Sequence, residues 1–215
     1  LYYIDYFVKI MNQKNSLGLN KCFLDLDDPF ELFEKWFDEA KKKEINDPNA
    51  LAVATSNKNN QPNVRMVLLK GLSDKGFVFY TNFNSKKGGE LKENQKASMC
   101  FHWKSLRRQV RVIGKVEEVS KKEADDYYNS RPYKNRISAW ASSQSQILDK
   151  RETFLDKIKE FEKKYPDENN VPRPPHWSGW RVLPEEIEFW VDGEGRIHER
   201  LNYKNNKGKW NKELL

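Results

Sequence analysis

The chain has 215 residues, of which 37% are hydrophobic and 13% aromatic, with seven Trp. This length is enough for one folded domain, and the apolar surface is concentrated in large rings. The formal charge of +7 is spread over Lys-rich surface segments, and no nucleic-acid-binding motif accompanies it, so a nucleic-acid partner is not expected.

The residues that commonly bind metals or form disulfides are scattered. Cys22 and Cys100 are far apart and belong to no Cys-x-x-Cys pair, so neither a disulfide framework nor a metal site is indicated. The aromatic opening stretch, residues 1–8, is interrupted by Asp5 and is too short to span a bilayer. We therefore expect a cytoplasmic protein without a membrane partner.

The first predicted element is an amphipathic helix that begins at Asp28-Pro29 and runs to about Ile45, with an acidic cap and apolar spacings of three and four. Three short strands on tight connections follow, at residues 50–55, 65–70 and 77–81. This succession is typical of a meander and not of βαβ units.

The second of these strands is an apolar run with a cation at each end, Arg65 and Lys70. If the run is extended, the two side chains lie roughly 17 Å apart and point to opposite faces. They cannot easily hold one anion. The pattern fits either two anionic groups or two solvated strand ends, and this stretch alone favours the solvated ends.

A short helix is predicted to begin at Ser85, which places Lys86 and Lys87 beside free backbone N–H groups. Such a helix start suits a phosphate, although a solvated basic helix start fits the same pattern. Two more strands, at residues 97–103 and 109–119, extend the sheet. Alternation puts Gln109 and Arg111 on one face.

From residue 120 the pattern becomes helical. A capping box opens a helix on which Tyr127 and Arg131 are four residues apart and share a face. A second helix begins at Asn135 and ends in a polar loop at residues 141–145. A third, at about residues 149–164, carries one apolar stripe and is predicted to be structural.

The chain then returns to the sheet through a Pro-rich crossing. Two strands are predicted, at residues 180–183 and 187–191, followed by a hairpin signal at Asp192-Gly193. In the expected return strand, every second residue from 196 to 200 points to the same face, namely Arg196, His198 and Arg200, and the residue at 197 points inward. The alternatives are an anion-binding surface and an amphipathic strand with a wet outer face, and the local pattern favours the second.

Seven segments, in chain order, resemble the FMN-dependent pyridoxine (pyridoxamine) 5′-phosphate oxidase family. Any one of them is weak, but seven in order are specific, and they cover most of the chain from near Asp28 to the last strand. The segments are Arg65-Met66-Val67-Leu68-Leu69-Lys70, Phe79-Tyr80-Thr81-Asn82, Ser85-Lys86-Lys87-Gly88, Gln109-Val110-Arg111, Ser130-Arg131-Pro132, Gln144-Ser145, and Ile187-Glu188-Phe189-Trp190 with Arg196-Ile197-His198-Glu199-Arg200.

The resemblance implies a mainly β fold with peripheral α-helices, namely an FMN-binding split β-barrel. It divides the chain into an N-terminal segment, residues 1–27, which can be mobile, and a single FMN-binding split-barrel domain with helical additions, residues 28–215. It also implies a homodimer with FMN in each of two clefts at the subunit interface.

The resemblance further assigns residues to the cofactor and to the substrate. The flavin is expected to contact Arg65, Met66, Val67, Leu68, Lys70, Tyr80, Thr81, Lys86, Lys87 and Gln109, with Gln144, Ser145, Trp190 and Arg200 from the other subunit. The substrate phosphate is expected to contact Lys70, Tyr127, Arg131 and, where family members have a Ser, Asn135. Arg196 and His198 are expected to face the pyridine ring and to be the catalytic residues.

The implied activity is oxidation of pyridoxine or pyridoxamine 5′-phosphate to pyridoxal 5′-phosphate, by hydride transfer from C4′ to N5 of FMN, with O2 reduced to H2O2. Two alternatives stay open at this point. A related split-barrel flavoprotein with another small substrate would not need the residues assigned to the substrate phosphate and ring. A non-catalytic carrier of pyridoxal phosphate would not need the flavin contacts. Nucleic-acid association is a third, supported by charge alone.

Overall fold

The computed structural model describes residues 15–215, which form one sheet and five α-helices. The helices are α1 (Pro29–Lys43), α2 (Lys86–Glu93), α3 (Lys121–Asn129), α4 (Tyr133–Ala141) and α5 (Arg151–Lys164). The strands are β1 (Ala50–Ser56), β2 (Pro62–Leu68), β3 (Gly71–Ser73), β4 (Gly76–Asn82), β5 (Lys96–Trp103), β6 (Arg108–Glu118), β7 (Trp177–Val191), β8 (Glu199–Asn206) and β9 (Lys209–Leu214).

The strands pair antiparallel in the order β2-β1-β5-β6-β7-β4-β3, and β8 and β9 continue from β7 as a branch. Strands β2 and β4 stand near opposite ends of this order and nevertheless contact each other. The sheet is therefore curled into a half-open barrel. This confirms the predicted fold class, mainly β with peripheral helices in a split barrel.

Helix α1 closes the interior of the curled sheet. The Asp28 side chain caps it by accepting a hydrogen bond from the Phe30 N–H at 2.8 Å. Phe33 is fully buried, and its ring meets those of Phe77 and Phe101 edge to face at 4.9 and 5.0 Å. Such aromatic pairs add to the stability that burial alone provides. Because rings fill the interior, a ligand site belongs at the rim of the sheet.

Residues 15–27, part of the predicted N-terminal segment, pack on the same core. Phe23 is fully buried. The Trp36 indole N–H donates to the Cys22 carbonyl at 2.6 Å, and the Tyr203 hydroxyl donates to the Leu26 carbonyl at 2.8 Å. The rest of that segment, residues 1–14, lies outside the described residues.

The two strands predicted at residues 180–183 and 187–191 are one strand, so that prediction is wrong. Strand β7 runs unbroken past a register shift between Ile113 and Gly114 of β6. At the shift, a Cβ on Gly114 would lie 2.0 Å from the Leu183 carbonyl oxygen. Only glycine allows this approach, and the resulting bulge lets the strand bend without ending.

The predicted return strand is also only partly correct. The connection between β7 and β8 is a seven-residue loop, and β8 begins at residue 199. Arg196 lies in a short 3-10 turn with a φ of 65°, and Ile197, predicted to point inward, is 79% exposed. The prediction that Arg196, His198 and Arg200 share one strand face is therefore wrong, because the loop carries the first two and only Arg200 lies on β8.

Candidate functional site

A cavity of about 350 Å³ opens at the rim where β2, β4 and β7 meet the helical part. It collects most of the residues predicted to bind FMN or the substrate phosphate. The predicted residues that line it are Met66, Val67, Leu68, Lys70, Tyr80, Thr81, Lys87, Tyr127, Arg131 and Gln144. Sequence reasoning missed Asn82, Ser138, Ala139, Ser142 and Trp177, which also line it.

The cavity is cationic. Lys70 lies just beyond the end of β2, Lys87 lies in the first turn of α2, and Arg131 follows α3. Among the described residues, none that lines the cavity is acidic. Three cations without a facing carboxylate create a site for an anionic ligand.

Arg131 is the least satisfied of these cations. Its Nη1 is buried and has no hydrogen-bond partner among the described residues. Its Cζ lies 4.7 Å from the centroid of the Trp177 ring, and burial lowers the pKa of the guanidinium. A buried donor without a partner is costly, so an anion that accepts from Nη1 would be bound favourably.

Aromatic rings form one wall of the cavity. The Tyr80 and Tyr127 rings stack at 4.0 Å and 21°, and the Tyr80 and Trp177 rings stack at 5.3 Å and 9°. Burial raises the pKa of Tyr80 to about 12, so its hydroxyl stays neutral at physiological pH. Strand β4, helix α3 and strand β7 each supply one ring. A flat apolar wall beside cations suits a planar ring that carries an anionic group.

Lys87 is nearly buried, with 8% of its surface exposed. Its Nζ donates to Ser85 Oγ at 3.3 Å and to Gln144 Oε1 at 3.2 Å, and the Thr81 hydroxyl also donates to Gln144 Oε1 at 3.3 Å. Burial lowers the pKa of Lys87 to about 8. Gln144, which the resemblance assigns to the other subunit, thus lies against Thr81 and Lys87 of its own chain.

Arg65 does not line the cavity but stands beside it on β2. Its Nη2 lies 3.1 Å from Glu90 Oε2 on α2, and its Nη1 donates to Thr55 Oγ1 at 2.5 Å. The charge of Arg65 nevertheless contributes, after burial, to the lowered pKa of Lys87. Arg65 and Lys87, both predicted to contact the flavin, are therefore neighbours. The Arg65 guanidinium is already paired with the Glu90 carboxylate.

Five further predicted residues form a second group on β6, β7, β8 and the loop between β7 and β8. Gln109 pairs in register with Trp190, and Trp190 pairs with Arg200. The Trp190 and His198 rings lie 4.7 Å apart, and Arg196 follows in the same loop. As predicted, Gln109 and Arg111 lie on one face of β6, and alternate with the buried Val110 and Val112 on the other.

The two groups are far apart within one chain. Tyr80, at the cavity, pairs with Gly179 at the start of β7, whereas Trp190 lies eleven residues further along the same strand. Extended strand covers roughly 35 Å over that distance. The two groups therefore lie toward opposite ends of β7. Three predicted residues belong to neither group: Lys86, Asn135 and Ser145 are exposed and do not line the cavity.

Within residues 15–215, no helix combines the length and apolar character needed to cross a bilayer. The same residues contain no cluster of three or more His, Cys, Asp or Glu side chains placed to hold a metal ion. The polar side chains that line the cavity carry ammonium, guanidinium, amide and hydroxyl groups, which suit organic anions.

Two family models match the chain. Residues 37–165 match the model described as pyridoxamine 5′-phosphate oxidase, and residues 177–215 match the pyridoxine 5′-phosphate oxidase C-terminal dimerisation region. The first span includes most of the cavity, and the second includes Trp190 and Arg200.

Relatives of similar length carry one shared name. The pyridoxine/pyridoxamine 5′-phosphate oxidase of Pelagibacter ubique (strain HTCC1062) is 65% identical over 206 residues, which cover 95% of this chain and 99% of that protein. The enzyme of the same name from Agrobacterium fabrum (strain C58 / ATCC 33970) is 53% identical over 192 residues, covering 88% and 93%.

Solved structures share the fold. PhzG from Burkholderia lata 383, solved in complex with tetrahydrophenazine-1-carboxylic acid, superposes with a TM-score of 0.85 at 27% identity, covering 96% of this chain and 98% of that one. A pyridoxamine 5′-phosphate oxidase-related, FMN-binding protein from Nostoc punctiforme PCC 73102 superposes with a TM-score of 0.70 at 16% identity, covering 87% and 97%. The second likeness is one of fold alone.

Proposed function

The chain belongs to the pyridoxamine 5′-phosphate oxidase family, and on this premise we propose that it binds FMN and oxidises pyridoxine or pyridoxamine 5′-phosphate to pyridoxal 5′-phosphate. The family resemblance drawn from the seven segments is thereby confirmed. The chain is an oxidase, as are its relatives at 53% and 65% identity. The choice of FMN, of O2 as acceptor and of a shared site between two subunits is our proposal.

The observation that carries the proposal is the composition of the cavity. Within residues 15–215, it combines three cations, no carboxylate, a stacked aromatic wall and the buried Nη1 of Arg131, which has no partner there. Flavin mononucleotide and phosphorylated pyridines are planar rings that carry a phosphate, so both fit this set of groups. Phosphate oxygens would accept the missing hydrogen bond of Arg131.

The chain's own residues bind and orient. Lys70, Tyr127 and Arg131 would bind the substrate phosphate, whereas Lys87 and the first turn of α2 would bind the flavin phosphate, aided by Arg65 nearby. When bound, FMN supplies the hydride acceptor that no amino-acid side chain provides. Holding the substrate by its phosphate against a flat wall fixes the reacting carbon in position, which is the main contribution a protein makes to such a reaction.

We propose that two chains complete each site. Arg196 and His198 would orient the pyridine ring, but they lie in the second group, far from the cavity of the same chain. That group falls within the matched dimerisation region. The outer face of β2 also exposes Val64 and Met66, by 64% and 65%, beside the cavity. A homodimer that covers this face would bring the partner's second group to the cavity.

Product formation tests the proposed activity. The purified protein is supplied with FMN and either pyridoxine or pyridoxamine 5′-phosphate in air, and pyridoxal 5′-phosphate and H2O2 are measured together. The proposal predicts that both products form in equal amounts. Flavin binding without turnover would favour a different substrate, and binding of pyridoxal phosphate without flavin would favour a carrier.

A further inference from the structure

Glu90 is a buried carboxylate on α2 that contacts no residue assigned to the substrate. It is 5% exposed and accepts hydrogen bonds from three side chains on two strands. The Thr55 hydroxyl donates to Oε2 at 2.5 Å, Arg65 Nη2 donates to Oε2 at 3.1 Å, and Asn63 Nδ2 donates to Oε1 at 3.2 Å. A buried carboxylate is retained only with such compensation.

This carboxylate keeps its charge. Burial acts to raise the pKa of Glu90, but the hydrogen bonds from Thr55, Asn63 and Arg65 outweigh it and hold the pKa below its usual value. The same bonds fix Arg65, because its Nη2 is tied to Glu90 while its Nη1 is tied to Thr55. The guanidinium is thereby oriented before any ligand binds.

Glu90 also influences the charge of Lys87, which lies three residues earlier on the same helix. Two charged groups influence the Lys87 amine: Arg65 on β2 lowers its pKa and Glu90 raises it. The other groups that contact it are neutral, namely Ser85 and, from the loop after α4, Gln144. Glu90 is therefore the counter-charge for a pair of cations that would otherwise repel each other.

We propose that Glu90 is a positioning residue for the flavin phosphate, which holds Arg65 beside Lys87 and supplies the negative charge that lets these two cations lie together before the phosphate binds. The proposal rests on the proposed function, since it takes the phosphate to be that of FMN. It assigns a role in cofactor binding to a side chain that does not line the cavity.

The test compares two flavins that differ only in the phosphate. The dissociation constants of FMN and riboflavin are measured with the flavin-free full-length protein from pH 7 to 9.5, where a phosphate monoester is a dianion because its second pKa is about 6. The ratio of the riboflavin Kd to the FMN Kd reports the phosphate contacts alone. In the wild type this ratio falls as Lys87 loses its proton near pH 8.

Glu90→Gln removes the charge and keeps the shape. Without the Glu90 charge, the repulsion between Arg65 and Lys87 is uncompensated, and Lys87 should lose its proton at a lower pH. We therefore expect the midpoint of the fall in the Kd ratio to move down by about half a pH unit or more. Above the midpoint, the ratio should then be about threefold lower than in the wild type. Glu90→Asp keeps the charge and should restore the wild-type midpoint. Glu93→Gln, the same change at an exposed position of α2, should leave the profile unaltered.

A Glu90→Gln protein with the wild-type ratio and midpoint would overturn the proposal. If that variant does not fold, Thr55→Val replaces it. Loss of the hydroxyl removes the shortest hydrogen bond of both Arg65 Nη1 and Glu90 Oε2. The ratio should then fall at every pH, and an unchanged ratio again contradicts the proposal. A wild-type ratio near one would instead overturn the proposed cofactor, which distinguishes the two failures.

Discussion

The guanidinium of Arg131 lies over the ring of Trp177, with 4.7 Å between Cζ and the ring centroid, and no carboxylate pairs with it among the described residues. An aromatic face holds a cation in place without neutralising it. Arg173, by contrast, is paired with Asp125 at 2.6 Å on the same side of the molecule. Arg131, unlike Arg173, therefore remains available to a phosphate.

Arg131→Gln tests that assignment. The change removes a charge-assisted hydrogen bond worth about 1.5–3 kcal/mol, so KM for pyridoxine 5′-phosphate should rise roughly 10- to 100-fold. The Kd of FMN should not change. Steady-state kinetics and flavin titration measure the two quantities, with Arg151→Gln on exposed α5 as the matched control. An unchanged KM, or an equal loss of FMN affinity, would contradict the assignment.

Lys87→Met tests the buried amine. The pKa of Lys87 is about 8 in the folded chain, below its usual value of 10.5. Between these two pKa values the unfolded chain binds more protons than the folded chain. The contribution of Lys87 therefore makes the free energy of unfolding rise with pH. Below pH 8 the amine is charged in both states, and the cost of burying that charge destabilises the folded chain in full. The flavin-free variant should be more stable at pH 7 by up to about 3 kcal/mol and should lack this slope.

The same variant should bind FMN more weakly, since it lacks the cation. Urea unfolding at pH 7 and pH 10 measures the first effect, and flavin titration measures the second. Lys121→Met, at an exposed position in the first turn of α3, should reproduce neither effect. Equal pH slopes for wild type and Lys87→Met would show that the amine is not perturbed by burial.

Two adjacent glycines at the start of α2 should respond oppositely to alanine. A Cβ on Gly88 would lie 2.4 Å from the Phe83 carbonyl oxygen, whereas a Cβ on Gly89 would meet nothing within 4 Å. Gly89→Ala should stabilise the protein by up to about 1 kcal/mol through helix propensity. Gly88→Ala should displace the first turn, destabilise the fold and weaken FMN binding. Thermal unfolding and flavin titration of both variants decide this, and similar values for the two would refute it.

Arg196→Ala tests two proposals together, namely the role of the loop between β7 and β8 and the site shared by two chains. Alone, it should lower kcat/KM strongly while FMN stays bound, because Arg196 lies in the second group and not at the cavity. Mixed with Arg131→Gln under conditions that exchange subunits, it should regain activity. Half of randomly formed dimers are mixed, and each has one site with both arginines, so about a quarter of wild-type activity should return. No recovery would place both residues in a site within one chain.

The sequence correctly predicted those parts of the site that depend on helical spacing, strand alternation and helix capping. Helical spacing placed Tyr127 and Arg131 on one face, and both line the cavity. Alternation placed Gln109 correctly on β6. The predicted helix start after Ser85 is confirmed, and Ser85 accepts the Gly88 N–H there.

Features that depend on distant pairing were missed or misplaced. Trp177 reaches the cavity because β7 pairs with β4, and no local pattern encodes the pairing of residue 177 with residue 82. Strand β9 was not predicted, although Lys207 and Gly208 both have positive φ and form a hairpin turn that the Asn-Asn-Lys-Gly sequence signals. Glu90 was missed because its partners lie on β1 and β2.

Arg196 shows how the spacing of charged residues can predict the wrong backbone conformation. Period-two spacing predicted a strand from residue 196 onward. The chain instead folds back after Gly193, where a Cβ would lie 1.7 Å from the Ile197 carbonyl oxygen, and the strand begins at residue 199. The spacing of charges in the sequence could not reveal this close backbone approach.

The most direct measurement for the whole account is the absorbance spectrum of the purified protein, followed without oxygen as pyridoxine 5′-phosphate is added. The cavity of Lys70, Lys87 and Arg131 is proposed to hold a flavin and a phosphorylated pyridine together. The account predicts flavin absorbance bands that bleach on addition of the substrate and return on admission of air. A protein that binds no flavin, or whose flavin bands persist after the addition, would contradict it.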